Sequence, residues 1–182
     1  IGKNGAGKTV LLRLLCGLMH PSKGQVIVDG KQLGKDVDFA PDAGIIIETP
    51  CFLPYLSGFQ NLKELASIRN IISKEEIAEA MEQVKLDPSS RKHVGKYSLG
   101  MRQRLGIAQA IMERPRYLIL DEPMNGLDTQ GMEDVRELLQ KQKETGVTVI
   151  LASHSMEDIR LLCDTVHRIQ DASLIPCTTE FS

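Results

Sequence analysis

The sequence predicts an α/β domain with a mainly parallel sheet at its core and a helical segment inserted into it. Two runs, YLILDEP and VTVILASH, are continuous apolar strands of the kind found in parallel sheets that are covered on both faces. A glycine-rich loop leads directly into a helix at the start of the chain. From about residue 52 to residue 95 the pattern is helical and gives no strand signal, which predicts the insertion.

The first part of the chain is predicted to hold one helix and two strands. The helix after the glycine loop ends at His20 and Pro21. The segment GQVIVDGKQL indicates a short strand with a turn at Asp29 and Gly30, and AGIIIETP indicates a second strand that Pro50 stops. The apolar face of the helix comprises Leu11, Leu12, Leu14, Leu15 and Leu18.

The later elements are marked by helix caps and by further apolar runs. Ser73 with Glu76 three residues on forms a capping box, and Ser98 begins a helix with a long apolar run. Between the two apolar strands a helix is predicted over residues 131–145, stopped by a glycine. A last helix over residues 156–163 leads to two edge strands, TVHRIQD and SLIP.

Composition excludes several classes of function. The 182 residues suit one domain, and the net charge of -2 does not suggest a basic surface for nucleic acid. The absence of Trp argues against a base-stacking surface. No apolar run approaches the roughly 18 residues that span a bilayer. The four cysteines form no C-x-x-C pair, which is typical of reduced thiols rather than a disulfide framework or zinc site. From the net charge and the absence of Trp we expect no nucleic-acid partner.

The glycine-rich loop matches a phosphate-binding motif. GKNGAGKT fits the pattern G-x-x-x-x-G-K-(S/T). Lys8 is expected to reach the β- and γ-phosphates of a nucleotide, and the hydroxyl of Thr9 to bind Mg²⁺. The alternative is a flexible glycine loop that matches by chance, which the helix beginning at once disfavours. The other residues of this predicted nucleotide site, which surround the phosphates with backbone N–H groups, are Gly2, Lys3, Asn4, Gly5, Ala6 and Gly7.

The beginning of the chain bears on this motif. A phosphate loop should follow a buried strand, and Ile1 is all that precedes the loop here. The chain also lacks an initiating methionine. We therefore expect a chain that is truncated at its N-terminus.

Two acidic residues end the strand YLILDEP, and a histidine follows the next apolar strand. Asp121 is expected to support Mg²⁺, and Glu122 to position or deprotonate a water for in-line attack on the γ-phosphate. Because ligands of open α/β sheets lie beyond the carboxyl ends of strands, His154 is expected to reach the γ-phosphate. The alternatives are a solvated strand end for the two acids and a cap or exposed loop residue for His154.

A second candidate anion site lies far along the chain, at the helix that Ser98 begins in YSLGMRQRL. A helix N-terminus with a serine and a glycine, Gly100, is suited to bind an anion. Taken alone, Ser98 is also explained as a plain helix cap.

The motifs together resemble those of ABC-type ATPases, the nucleotide-binding subunits of ABC transporters. GKNGAGKT, YSLGMRQRLGIAQAI, YLILDEP, NGLD and ILASH occur in the order and spacing of that family, over nearly all of the chain. The resemblance implies two subunits packed head to tail, with each ATP between the phosphate loop of one and the signature helix of the other. Ser98 and Gly100 would then contact a nucleotide held by the other subunit. Asp128 matches the D-loop at the dimer seam, although alone it indicates an N-cap.

Three departures from the family pattern stand out. The usual L-S-G-G-Q signature has Leu99 and Met101 at two positions here, and SLGM resembles the branch that exports peptide antibiotics such as bacitracin and lantibiotics. Glu48 occupies the position of the Q-loop glutamine, which in the family touches the metal or the attacking water, so we expect Glu48 to bind Mg²⁺ or nucleotide with an added charge. The aromatic residue that stacks on adenine lies upstream of the loop in the family.

By resemblance, the chain is a single ABC ATPase domain over residues 1–182, with a helical subdomain at about 52–100. We expect an ATP-binding and ATP-hydrolysing subunit, with ATP and Mg²⁺ as cofactors, peripheral on the cytoplasmic face of the cell membrane. It would pair with a second ATPase subunit, identical or related, and with membrane permease subunits docked on the helical segment. The alternatives are a soluble ABC ATPase that acts on ribosomes or DNA, and a truncated nucleotide-binding fragment without turnover.

Overall fold

A computed structural model describes residues 1–3 and 5–177 of the chain. The helices in this part are α1 Lys8–Cys16, α2 Gly58–Arg69, α3 Lys74–Gln83, α4 Leu99–Ile111, α5 Thr129–Glu144 and α6 Met156–Leu162, with one turn of 3-10 helix at Val94–Lys96. The strands are β1 Ile27–Val28, β2 Lys31–Gln32, β3 Ala43–Ile46, β4 Tyr117–Asp121, β5 Thr148–Ala152, β6 His167–Gln170 and β7 Ser173–Pro176.

A three-stranded parallel sheet in the order β3-β4-β5 forms the centre of the domain. Ile119 on β4 lies opposite Ile45 on one side and Ile150 on the other. Because the strands run in the same direction, their carboxyl ends meet at one edge of the sheet. The predicted α/β fold with a parallel core is confirmed.

Both faces of this sheet are covered, as the continuous apolar runs predict. Leu118 and Leu120 pack into a large hydrophobic cluster with residues of α2 to α5. Ile119 points the other way and packs with Leu12 and Cys16 of α1. This alternation is the two-residue period of a strand, so each face of β4 has its own helical layer.

Two antiparallel hairpins flank the parallel sheet. The β1–β2 hairpin turns at Asp29 and Gly30, whose φ angles of 49° and 75° fit a turn that needs two left-handed residues. The Asp29 carboxylate accepts hydrogen bonds from Arg116 at 2.7 Å and from the Tyr117 hydroxyl at 2.6 Å, so the hairpin tip is fixed to the start of β4. The second hairpin, β6–β7, comprises the two predicted C-terminal strands.

The segment between β3 and α4 contains two helices rather than one continuous helical run. Both begin with a capping box, at Ser57 with Gln60 and at the predicted Ser73 with Glu76. Residues 84–93 are not helical. The buried residues of α2 and α3 belong to the same hydrophobic cluster as the sheet, and the assignment of residues 52–100 as a separate subdomain stays a prediction.

Arg104 on α4 joins the inserted helices to the rest of the domain. Its guanidinium donates to the backbone oxygen of Val84, just after α3, and to the carboxylate of Asp134 on α5, both at 2.9 Å. The Arg104 hydrogen bond holds the pKa of Asp134 below its ordinary value. Asp134 therefore stays charged at neutral pH, and the contacts of Arg104 connect three helices.

The predicted end of α1 at His20 and Pro21 is wrong by four residues. The helix ends at Cys16, because Gly17 takes a left-handed conformation with φ 86° and its N–H caps the last turn. Leu18, predicted to lie on the buried face, is beyond the helix and 53% exposed. In the opposite direction, α5 begins at Thr129, two residues earlier than predicted, because Asp128 caps it.

No helix within residues 1–3 and 5–177 has both the length and the apolar character needed to cross a bilayer.

Candidate functional site

The phosphate loop lies at the carboxyl edge of the parallel sheet and leads into α1. Gly5 and Gly7 have φ angles of 79° and 103°, a backbone conformation that side chains disfavour. A Cβ added to either would meet no other atom within 4 Å, so the loop surrounds open space. Asn4, a predicted member of the loop, lies outside the described residues. The two glycines thus leave open space at a helix N-terminus, which suits an anion.

Lys8, the first residue of α1, lies between the loop and the end of β4. Its ammonium nitrogen donates to the backbone oxygen of Gly2 at 2.7 Å and lies 3.9 Å from a carboxylate oxygen of Glu122. The side chain is 10% exposed. A charged group held this way is positioned to meet a phosphate that enters the loop.

Thr9 and Asp121 form the candidate metal position. The Thr9 hydroxyl donates to the Asp121 carboxylate at 2.6 Å, and Asp121 is the buried last residue of β4. Hydroxyl and carboxylate oxygens are the hard ligands that Mg²⁺ prefers, and such sites are completed by substrate phosphates and water. No group of three His, Cys, Asp or Glu side chains in the described part of the chain is arranged to hold a metal by itself. The donor set therefore fits Mg²⁺ that arrives with a nucleotide.

Glu122 and His154 meet at the ends of two neighbouring strands. His154 Nδ1 lies 2.8 Å from Glu122 Oε2. Glu122 has a left-handed φ of 48°, and its N–H donates to the backbone oxygen of Ala152 at 2.8 Å, which continues the β4–β5 pairing. A non-glycine residue in this conformation carries strain of order 1–2 kcal/mol, which is common at functional sites. The structure thus brings together Glu122, predicted to act on the attacking water, and His154, predicted to reach the γ-phosphate.

The segment that carries His154 is fixed by an ion pair with a buried carboxylate. Asp158 on α6 is 1% exposed and accepts from Arg136 of α5 at 2.8 Å. Ser155 caps α6 by accepting from the N–H of Asp158, and the N–H of Ser155 donates to Ser153 at 3.0 Å. His154, on the turn between β5 and α6, is thus held from both sides.

Glu48, predicted to bind metal or nucleotide, follows β3 at the same edge of the sheet. Its φ is 62°, and its carboxylate accepts a hydrogen bond at 2.5 Å from the guanidinium of Arg13. The sequence did not single out Arg13, since an arginine on an apolar helix is usually a solvated residue.

These residues line one groove of about 570 Å³. It includes most of the predicted loop and both acidic residues of the strand end, together with Glu48. Gly2 and His154 are linked to it through Lys8 and Glu122. The lining residues are Lys3, Gly5, Gly7, Lys8, Thr9, Val10, Glu48, Thr49, Leu99, Gln103, Asp121, Glu122 and Asn125. A second cavity of about 520 Å³ lies along β5 and α1, with neither Asp121 nor Glu122 in its walls.

The second predicted anion site borders this groove only through Leu99, which lies between Ser98 and Gly100. Ser98 caps α4 by accepting from the N–H of Met101 at 3.1 Å, and a Cβ added to Gly100 would lie 3.0 Å from the Gly126 oxygen. Neither Ser98 nor Gly100 lines the groove. Their contact with a nucleotide of another subunit stays a prediction. Asp128 caps α5 by accepting from the N–H of Gly131 at 2.8 Å, so the capping role is present.

Sequence reasoning missed Gln103. This side chain is buried in α4, and its amide donates to the backbone oxygen of Pro123 at 3.0 Å, directly after Glu122. Gln103 stands between two arginines, before the apolar run that begins at Leu105, so the local sequence carries no signal for it. Gln103 therefore links the start of α4 to the end of β4.

The chain matches the ABC transporter family over residues 1–125, which is more than half of its length. The chain belongs to this family. As an ABC transporter domain, it has the phosphate loop, the strand-end acids and the histidine in the arrangement described above.

Several curated relatives are close. An uncharacterised ABC transporter ATP-binding protein of Bacillus subtilis, YybJ, is 46% identical over 163 residues, which is 90% of this chain and 75% of the relative. The bacitracin transport ATP-binding protein BcrA of Enterococcus faecalis is 40% identical, over 96% of this chain and 58% of its own length. The lantibiotic transport ATP-binding protein SrtF of Streptococcus pyogenes is 35% identical, over 96% and 75%. The chain thus spans between about three-fifths and three-quarters of these proteins.

Solved structures confirm the fold. A structure described as an ATP-binding subunit of an ABC transporter superposes with a TM-score of 0.84 at 26% identity, covering 98% of this chain and 77% of that one. A dimeric ATP-binding cassette in a post-hydrolysis state, bound to ADP and phosphate, superposes with a TM-score of 0.83 at 20% identity, covering 95% and 80%.

Proposed function

We propose that this chain is the ATP-binding and ATP-hydrolysing part of an ABC transporter. The observation that carries the proposal is the cluster at the carboxyl edge of the sheet. There a carboxylate oxygen of Glu122 lies 2.8 Å from His154 and another lies 3.9 Å from the Lys8 ammonium. Asp121, which precedes Glu122, accepts a hydrogen bond from the Thr9 hydroxyl. The cluster thus places a cation beside carboxylates, which suits a phosphate and the water that attacks it.

Each residue has a distinct task in this proposal. The loop N–H groups and Lys8 bind the β- and γ-phosphates, and Thr9 and Asp121 hold Mg²⁺, which neutralises phosphate charge. The Glu122 carboxylate accepts a proton from the attacking water. His154 orients that carboxylate and contacts the γ-phosphate. Positioning and charge stabilisation are the main needs of phosphoryl transfer, so this set is sufficient in kind.

A second ATPase subunit would complete the site. Ser98 and Gly100 do not line the groove of their own subunit, although Leu99 between them does, and the superposed cassette in its post-hydrolysis state is described as dimeric. In a two-fold pair, the start of α4 of each subunit would face the phosphate loop of the other. Whether the second subunit is identical or related is left open.

The transported substrate is proposed from the relatives. BcrA is named for bacitracin transport and SrtF for lantibiotic transport. A peptide antibiotic or a similar compound is therefore the proposed cargo. Membrane permease subunits would dock on the helical segment, and the chain would lie on the cytoplasmic face of the membrane, peripheral to it. A soluble ABC ATPase that acts on ribosomes or DNA is the competing proposal, and co-purification with membranes rather than ribosomes would separate the two.

The role of Glu122 is tested by Glu122→Gln in the intact natural polypeptide. An amide cannot accept the proton of the attacking water, so we expect kcat for ATP hydrolysis to fall roughly a hundred- to a thousand-fold while nucleotide still binds. The measurement is steady-state phosphate release alongside nucleotide affinity.

A matched control is available for this substitution. Glu113→Gln makes the same chemical change in a side chain of nearly the same exposure, 18% against 19%, that pairs with Arg69 far from the groove. It should hydrolyse ATP like the parent. If Glu122→Gln also turns over at the parental rate, the assignment of Glu122 is wrong.

A further inference from the structure

The face of α1 toward the carboxyl edge of the sheet carries two polar side chains one helical turn apart. Thr9 and Arg13 are separated by four residues, so they lie on the same side of the helix. Each contacts an acidic residue from the end of a different strand. Thr9 donates to Asp121, the last residue of β4, and Arg13 donates to Glu48 after β3 at 2.5 Å.

Glu48 adds a negative charge to a groove that already contains two carboxylates. Asp121 and Glu122 line the same space, and a triphosphate would bring several more negative charges into it. Within the described part of the chain, the groove is lined by two lysines, Lys3 and Lys8. The Lys8 ammonium already donates to the backbone oxygen of Gly2 and lies 3.9 Å from the Glu122 carboxylate. An unpaired carboxylate at position 48 would therefore repel the phosphates, because like charges at short range oppose binding.

Arg13 offsets that charge and also fixes its place. Glu48 has a left-handed φ of 62° in the turn that follows β3. Two residues on, Pro50 packs against Gly106 of α4 so closely that a Cβ on Gly106 would lie 2.4 Å from the proline ring. The turn is thus held on one side by α4 through Pro50 and on the other by α1 through the Arg13–Glu48 pair.

We infer that Arg13 is a positioning residue for Glu48, which it holds at the edge of the nucleotide groove and neutralises, so that a glutamate is tolerated at this position. The inference rests on the proposed function, since it concerns the same groove. It states that the effect of Arg13 on nucleotide binding depends on the presence of the Glu48 carboxylate.

A surface ion pair without a functional role is the alternative. The Arg13 and Glu48 side chains are 37% and 61% exposed, and exposed pairs generally contribute little to stability. Removing an ion pair of that kind would leave nucleotide affinity unchanged. A purely structural role for Arg13 in α1 would instead lower affinity equally, whatever residue stands at position 48.

A double-mutant cycle in the intact natural polypeptide separates these cases. The variants are Arg13→Gln, Glu48→Gln and the pair together, and the readout is the Kd of ATP by titration calorimetry, with Mg²⁺ and with EDTA. We expect Arg13→Gln to weaken binding roughly three- to tenfold in the Glu48 background, more in EDTA than with Mg²⁺. In the Glu48→Gln background we expect a change of less than about twofold.

Two further variants sharpen the result. Arg13→Lys keeps the charge and should recover most of the lost affinity. Arg69→Gln removes an arginine of comparable exposure, 49%, from its 2.7 Å contact with Glu113 outside the groove, and should bind ATP like the parent. Thermal melts of all variants check that the fold is kept.

The outcomes are distinct. Equal losses in both backgrounds, or no loss in either, would overturn the inference about Arg13 and leave the proposed function intact. If the parent itself fails to bind ATP, the proposed function fails, and the inference fails with it.

Discussion

The hydrogen bond between Thr9 and Asp121 joins two residues that are 112 positions apart in the chain. The sequence predicted both as metal-binding residues from their separate motifs, and the structure places the hydroxyl 2.6 Å from the carboxylate. Under the proposed function, this pair would hold Mg²⁺ at a contact that also joins α1 to β4.

Replacing Asp121 with Asn should weaken metal use rather than abolish nucleotide binding. The amide keeps the shape of the side chain but loses the negative charge that attracts Mg²⁺. We expect the Mg²⁺ concentration at which ATP gives half of its stabilising effect to rise about tenfold or more. Thermal melts in the presence of ATP across a Mg²⁺ titration measure this concentration.

Asp42→Asn is a suitable comparison for Asp121→Asn. Asp42 pairs with Arg69 at 3.6 Å and does not line the groove. In EDTA, Asp121→Asn and the parent should no longer differ. An unchanged Mg²⁺ requirement in Asp121→Asn would show that Asp121 does not hold the metal.

At the scale of single residues, motif spacing predicted the groove but not its supports. Lys8, Thr9 and Glu122 belong to short patterns whose chemistry explains them without the fold. Arg13 and Gln103 act through partners that are 35 and 20 positions away, Glu48 and Pro123. No local pattern encodes such contacts, since they exist only once β3, β4 and the helices have packed.

Among the elements, β3 and α4 approach each other unusually closely. A Cβ added to Gly44 on β3 would lie 1.9 Å from the backbone oxygen of Ala110 on α4. Glycine is required here for space, not for backbone conformation, because its φ is not positive. This contact sets the distance between the sheet and the helix that begins at Ser98.

Gly44→Ala should therefore force β3 and α4 apart and destabilise the domain. Overpacking of this kind typically costs about 1–3 kcal/mol, which corresponds to a melting temperature lower by several degrees in a domain of this size. Thermal unfolding followed by circular dichroism measures the change.

Gly95→Ala gives a graded comparison for Gly44→Ala. There the added Cβ would lie 3.0 Å from the nearest atom, the Pro54 oxygen, so a smaller loss is expected. A Gly44→Ala protein as stable as the parent would contradict the close approach of β3 to α4.

Element types were predictable, and element ends were less so. Apolar runs identified the parallel strands, a capping box the start of α3 and an N-cap serine the start of α4, because these signals are local in sequence. The end of α1 was predicted too late because the prediction relied on His20 and Pro21, whereas Gly17 stops the helix first in a left-handed conformation. A Cβ on Gly17 would lie 2.3 Å from the Asp38 oxygen, a long-range reason that local patterns do not contain.

At the scale of the whole molecule, the order β3-β4-β5 brings three functional strand ends to one edge. Glu48, Asp121 with Glu122, and His154 follow these strands in turn. The sequence predicted parallel strands with ligands beyond their carboxyl ends, but not which strand lies in the middle, because pairing is decided by long-range packing. The start of α4 borders the groove that these ends form through Leu99 and Gln103, whereas Ser98 and Gly100 do not line it.

The most direct test of the account is the mass in solution of the intact Glu122→Gln polypeptide, measured by light scattering on a sizing column with and without Mg-ATP. Slow hydrolysis should trap the bound state, so we predict a monomer without nucleotide and a dimer with Mg-ATP. Adding Ser98→Arg should abolish that dimer, because the long charged side chain would replace the cap at the proposed second half of the site. A dimer that forms equally with and without ATP, or one that still forms with Ser98→Arg, would contradict a nucleotide site shared between two subunits.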